Sequence, residues 1–204
     1  MDKKKQEDIS RIEKKSELRR AEADEHFNLG YKYWNKGKII KAIIEYKKAI
    51  RLKPNHARAH NYLGSAYRRQ RRLKEAMLEY REAIRIDHDY VSAYCNLGTV
   101  YLIDQKIKEA IENYKEAIRI DSNNVEAHNY LGLAYRKQGR NKDAMREYRE
   151  AIRIRKDYNP SHFNLGLLYQ ELGIIAEARY HFKRALELGY ETARGYLEDV
   201  DDYE

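Results

Sequence analysis

The chain has 204 residues, 36% of them charged and 42% hydrophobic, and a formal net charge of +8. Its apolar residues come in short periodic groups, which excludes a bilayer-spanning stretch, and the opening Met1-Asp2-Lys3-Lys4-Lys5 lacks the apolar run of a secretory signal. The single cysteine, Cys95, cannot close an internal disulfide, and a cytoplasmic location is the default expectation.

The charge is unevenly spread. Residues 1–20 hold +3 and residues 193–204 hold −4, which leaves +9 on the body between them. Residues 1–20 favour a helix but offer only Ile9, Ile12 and Leu18 for packing. They read as a charged extension, helical or frayed, that joins the first helix near Arg20; the rival reading is an arm that docks on another subunit or partner.

From residue 21 to residue 192 a 34-residue period takes over, and Leu-Gly-x-x-Tyr begins at Leu29, Leu63, Leu97, Leu131 and Leu165. Alanines recur in step at Ala42, Ala76, Ala110, Ala144 and Ala178. A fixed period of this size marks a stacked array, in which no unit buries its apolar face alone. The repeats are 23–56, 57–90, 91–124, 125–158 and 159–192, with the glycine at position 8 of each.

Within a repeat, positions 4, 7, 8 and 11 follow the i, i+3, i+4, i+7 rule and predict a first helix, A. A break follows at position 15, where Gly37, Gly139 and Gly173 suit a left-handed C-cap. Arg71 and Gln105 stand at that position in repeats two and three, so those turns are expected to be strained or differently closed. A second stripe at positions 17, 20, 21, 24, 27 and 28 predicts helix B. The small residues at positions 8 and 20 let the two backbones approach, and a large aromatic at position 24 (Tyr46, Tyr80, Tyr114, Tyr148, Phe182) fills the space between them. After the last repeat, Ala193, Tyr196, Leu197 and Val200 again share one face, which predicts a C-terminal capping helix before the acidic tail.

These residues resemble the tetratricopeptide repeat (TPR) family, over residues 21 to 192 and in five in-phase copies. The resemblance implies an all-α fold: a right-handed superhelical α-solenoid of tandem helix-turn-helix hairpins. Two departures from the family pattern stand out. The aromatic expected at position 4 is His26, His60, His128 and His162, with only Tyr94 keeping it. The proline expected at position 32 survives only as Pro54, so helix B is expected to run longer in repeats two to four. A second beat is also present: repeats two and four agree at 24 of 34 positions, as a duplication or a consensus-built array would.

Little in the sequence points to catalysis. There is no phosphate loop, nucleophile elbow or zinc-hydrolase helix, and Cys95 has no basic neighbour that would activate it. Histidines at one position of successive repeats are spread along the stack rather than converged on one ion, so they read as packing residues and no metal or other cofactor is expected. The one exception weighed is an adventitious ion on the i, i+4 pair His56 and His60.

The family lines its concave groove with positions 2, 5, 6, 9, 12 and 13 of helix A. Here these supply Arg58, Asn61, Asn129, Arg68, Arg69, Arg136 and Lys137, with position 6 alternating Asn28, Tyr62, Asn96, Tyr130, Asn164. Tyr90 and Tyr158, at position 34, stand beside the next helix A. Asparagine amides both donate and accept, and so could hold a peptide backbone without reading its side chains. Glu126 and Tyr130 break the register of the family's carboxylate clamp, so binding to chaperone tails is not supported. The expectation is a non-enzymatic scaffold that binds an extended, acidic peptide or partner segment in the groove, with no membrane insertion. Two rivals stand beside it. One is self-association through exposed ends, with the acidic tail in a neighbour's groove. The lesser is nucleic-acid binding, prompted by the run Arg68-Arg69-Gln70-Arg71-Arg72.

Overall fold

The computed structural model of the chain describes residues 3–201, and among these there are eleven helices and no strands. In chain order they are α1 (Lys3–Asn35), α2 (Ile39–Leu52), α3 (Ala57–Arg69), α4 (Leu73–Ile86), α5 (Val91–Ile103), α6 (Ile107–Ile120), α7 (Val125–Lys137), α8 (Asn141–Ile154), α9 (Asn159–Glu171), α10 (Ile175–Glu187) and α11 (Ala193–Asp201). They form two compact units, residues 1–100 and 101–204, with the boundary inside α5. Asp202, Tyr203 and Glu204, the acidic end read as a possible groove occupant, lie outside the described residues.

In the first unit α1 packs on α2 and α3 packs on α4, each pair held by a glycine against a ring. A Cβ added at Gly30 would stand 2.7 Å from the Tyr46 ring, and one at Gly64 would stand 2.8 Å from Tyr80. Both tyrosines are fully buried, with Ala42, Ala49, Ala76 and Ala83 around them. The small residues therefore set the approach of the two helices, and the ring fills the remaining space. α1 is one unbroken helix from Lys3, yet residues 10–22 are exposed and burial begins after them, at Ala23.

The second unit repeats the device at Gly132 with Tyr148 and at Gly166 with Phe182. The capping helix α11 buries Ala193 and Val200 and places Tyr196 against Phe163 and Phe182, at 5.2 and 5.5 Å between ring centres. Arg179 donates to the Val200 carbonyl at 3.2 Å and so satisfies one of the open groups at the end of α11.

The turn inside each hairpin closes the same way five times. The position-16 N–H donates to the position-11 carbonyl: Lys38 to Tyr33, Arg72 to Tyr67, Lys106 to Tyr101, Arg140 to Tyr135 and Ile174 to Tyr169, at 2.8–3.0 Å. That bond requires a left-handed residue just before it. Gly37, Gly139 and Gly173 supply it freely, whereas Arg71 (φ 62°) and Gln105 (φ 63°) adopt it at a steric cost of about 1 kcal/mol.

The expected lengthening of helix B does not occur. α2, α4, α6 and α8 all have 14 residues, although only the first is followed by Pro54. In repeats two and three the residue just before the proline's position is an aspartate that closes a side-chain turn. Asp87 Oδ1 accepts the Asp89 N–H at 3.2 Å and Asp121 Oδ1 accepts the Asn123 N–H at 3.1 Å, turns that compete with a further helical turn.

Candidate functional site

What positions 2, 5, 6, 12 and 13 of helix A can do depends on the helices packed beside them. In the first unit Asn61, on α3, is buried. Its Oδ1 accepts from Asn96 Nδ2 of α5 at 3.0 Å, and its own Nδ2 donates to the Tyr90 hydroxyl at 3.3 Å. In the second unit the pattern returns: buried Asn129, on α7, accepts from Asn164 Nδ2 of α9 and from Ser161 Oγ, both at 2.9 Å. Asn61 and Asn129 are thus 5% and 3% exposed and engaged within the chain, whereas Asn96 and Asn164 are half-buried. Asn28, at the same position of α1, is exposed.

The aromatic members are half-buried. Tyr62 stands edge-on to Phe27 (5.6 Å) and Tyr31 (5.4 Å), and Tyr130 stacks on Tyr114 (5.7 Å). Burial, reinforced by neighbouring Tyr130 and Glu126, pushes the Tyr158 hydroxyl up to about 12, so it stays protonated and available as a donor. Tyr90 is raised as well, again chiefly by burial.

The cations divide into two kinds. Arg58 lies 4.8 Å over the Phe27 ring and Arg69 lies 5.7 Å over Trp34, both exposed; Lys137 is exposed too. Arg68 and Arg136 are half-buried at the same position of their repeats. Arg136 donates to both carboxylate oxygens of Glu171, its Nε at 2.9 Å. This pairing holds the Glu171 carboxyl below the usual range, because the hydrogen bond from Arg136 outweighs the desolvation. Arg68 lies near the Tyr80 hydroxyl, and its buried Nε has no hydrogen-bond partner among the described residues.

One set of polar contacts escaped the sequence reading. Each position-4 histidine faces the residue 19 positions later, on its own helix B. His26 Nδ1 meets Glu45 at 2.6 Å, His60 meets Glu79 at 2.7 Å, and His128 meets Glu147 at 2.8 Å. The other ring nitrogen of His60 faces the Pro54 carbonyl (2.9 Å), and that of His128 faces the Ser122 carbonyl (3.2 Å). Burial alone would lower both imidazole pKa values, but the glutamate and the carbonyl outweigh it and raise them. Repeat five breaks the pattern: His162 Nδ1 lies 3.1 Å from His181 Nδ1, and burial pushes His181 down to about 4. The available signal was the pairing of His at position 4 with Glu at position 23 in repeats one, two and four. Among the described residues no group of three or more His, Cys, Asp or Glu could hold a metal ion, and no helix is long and apolar enough to cross a membrane.

Comparisons with known proteins agree with this architecture. Residues 30–71, 64–104, 100–139 and 132–173 match the family described as TPR repeat, and residues 160–191 match the family described as Tetratricopeptide repeat. A search of curated proteins gives no match. Among solved structures, one described as a crystal structure of MamA is 28% identical, with a TM-score of 0.69 over 81% of this chain and 96% of its own. PilF of Pseudomonas aeruginosa is 21% identical, with a TM-score of 0.75 over 89% of this chain and 88% of its own. YrrB, described as a TPR protein with an unusual peptide-binding site, is 19% identical, with a TM-score of 0.65 over 85% and 90%.

Proposed function

Because the chain belongs to the tetratricopeptide repeat family, we propose that it is a non-enzymatic scaffold whose helix-A faces bind an extended, acidic segment of a protein partner. The observation that carries this reading is the paired amides. Asn96 and Asn164 each spend one N–H on a buried asparagine beneath them. That bond fixes the amide plane and leaves an oxygen and a second N–H to meet the alternating donors and acceptors of a peptide backbone. Preorganisation of this kind lowers the entropy lost on binding. Asn61 and Asn129 act as positioning residues under this reading, while Tyr62 and Tyr130 offer half-buried rings for apolar side chains.

The acidic character follows from charge. The repeat body holds +9, and Arg58, Arg69 and Lys137 are exposed on the same helix faces. A fluorescein-labelled peptide of alternating glutamate and alanine serves as the probe. Replacing Asn96 and Asn164 together by alanine should weaken its binding about tenfold, measured by fluorescence anisotropy. Undiminished affinity in a double variant that melts like the parent would remove the groove reading.

A further inference from the structure

Repeats two and four agree at 24 of 34 positions, and among those that differ only two reverse the sign of a charge. Arg58 at position 2 becomes Glu126, and Asp87 at position 31 becomes Arg155. Both changes act on the tyrosine at position 34. Burial raises the Tyr90 hydroxyl, Arg58 draws it back down and Asp87 adds to the rise. At Tyr158 the signs are exchanged: burial, then Tyr130 and Glu126, raise the hydroxyl, and Arg155 draws it down. Each unit therefore keeps the tyrosine and inverts the charges around it.

Helix stability would not choose this inversion. Arg58 and Glu126 lie in the first turns of α3 and α7, where the helix macrodipole favours an acid and opposes a cation. Glu126 follows that preference and Arg58 goes against it. A local rule broken without a gain in folding points to function. The Arg58 guanidinium lies 4.8 Å over the Phe27 ring, a stacking that steadies its plane and keeps its in-plane N–H groups for an acceptor. Asp24 of α1 is turned to His56 (3.2 Å) and Lys53 (3.9 Å), and Asp87 Oδ1 holds the Asp89 N–H. In the second unit Arg155 lies 5.3 Å over the Tyr158 ring. Arg58 and Glu126 are both exposed, and among the described residues neither forms a salt bridge. Tyr90 also accepts from Asn61, so Arg58 borders the amide pair of the first unit.

We infer that the two units carry subsites of opposite sign: Arg58 takes a glutamate or aspartate side chain of the partner segment, and Glu126 takes a lysine or arginine. The inference rests on the groove reading above and adds the sign that each unit selects. A carboxylate can meet the stacked guanidinium through two parallel N–H donors, and an ammonium or guanidinium can meet Glu126 in the reverse sense. Opposed signs also reject the wrong residue, because a like charge at either place is repelled. The segment is then acidic where it meets the first unit and carries a base where it meets the second, which fixes the direction in which it binds.

Two labelled block peptides of equal composition test this on the full chain. One runs from a glutamate–alanine half into a lysine–alanine half, and the other has the halves in the opposite order. The parent should bind one order about fivefold more tightly than the other. The double variant Arg58→Glu with Glu126→Arg leaves the net charge unchanged and should reverse that preference. Equal affinity for the two orders in the parent, or a preference that the exchange leaves as it was, would overturn the assignment while leaving the groove in place. Failure of the parent to bind either block peptide or the glutamate–alanine peptide would instead remove the groove. The first subsite is then judged directly from the Arg58 Nε–Hε resonance, titrated with N-acetylglutamate methylamide. A saturable shift that the glutamine analogue does not produce upholds it, and no shift overturns it.

Discussion

In repeat two the Tyr80 hydroxyl donates to Ser65 Oγ at 3.0 Å; in repeat four Leu133 stands where the serine was, and the buried Tyr148 hydroxyl lies beside Arg136 without a directed bond. Among the described residues the buried Arg68 Nε has no hydrogen-bond partner in the first case, and Arg136 is tied to Glu171 in the second. Everything that makes the hairpin is the same in both: the glycine under the ring, the two alanines on helix B, and the buried asparagine. Two near-copies of one scaffold thus differ in the polar groups they leave over, and under the proposed function those remainders are what a partner meets. Selection on binding can act there without touching the packing.

The comparison is broken most severely at the shared contact. Gly64→Leu and Gly132→Leu should each cost about 3 kcal/mol, because a Cβ already falls 2.8 and 2.7 Å from the ring in the two repeats. Denaturant melts that separated the two variants widely would show that the hairpins are not equivalent after all.

A second test sets repeats two and four against repeat five through pH. His60 and His128 have raised pKa values in the fold, so the stability they contribute is fully present below the unfolded value near 6.5 and is lost as pH rises through the folded one. His181 is depressed to about 4, chiefly by burial and then by the facing His162, so the unfolded chain binds the extra proton first. Its contribution is present above 6.5 and drains away as pH falls toward 4, by an amount on the order of 1–2 kcal/mol after solvent screening. Hydrogen exchange at pH 5 should therefore quicken in α9 and α10 relative to α3, α4, α7 and α8. His181→Glu should cancel the difference by restoring the pairing of the other repeats.

The smallest effect lies in the hairpin turns. Arg71→Gly should stabilise repeat two by about 0.5–1 kcal/mol, and Gly139→Arg should cost repeat four a similar amount, because only glycine holds a positive φ without strain. Thermal melts of the two variants, with shifts of opposite sign, would check it.

The scaffold was legible in the sequence because its signals are local and repeated. Small residues at positions 8 and 20, an aromatic at 24 and a turn residue at 15 lie within single helices or their ends, and the unusual Arg71 and Gln105 turns could be anticipated from alignment with Gly37. The site was less legible because its partners lie off any helical period. Glu147 reads as one more solvated acid until α8 brings it against His128, and Glu171 reads the same way until α9 brings it against Arg136. Asn129 and Tyr130 are adjacent in sequence, and only the neighbouring helix decides that the first is covered and the second is partly open. The mistaken length of helix B has a similar cause: the helix stops after 14 residues whether Lys53 before Pro54, Asp87, Asp121 or Arg155 follows it, so proline is not what sets its end.

The long α1 joins two thermodynamic regimes in one rod. From Ala23 onward its turns share the fate of the array, but residues 10–22 are exposed, bury no side chain against it and draw little from packing, as a helix in water does. Its far end therefore unwinds gradually with warming while the repeats still stand, which gives a sloping ellipticity baseline before the cooperative transition. Trypsin would cut among its lysines and arginines first and would stop where burial begins.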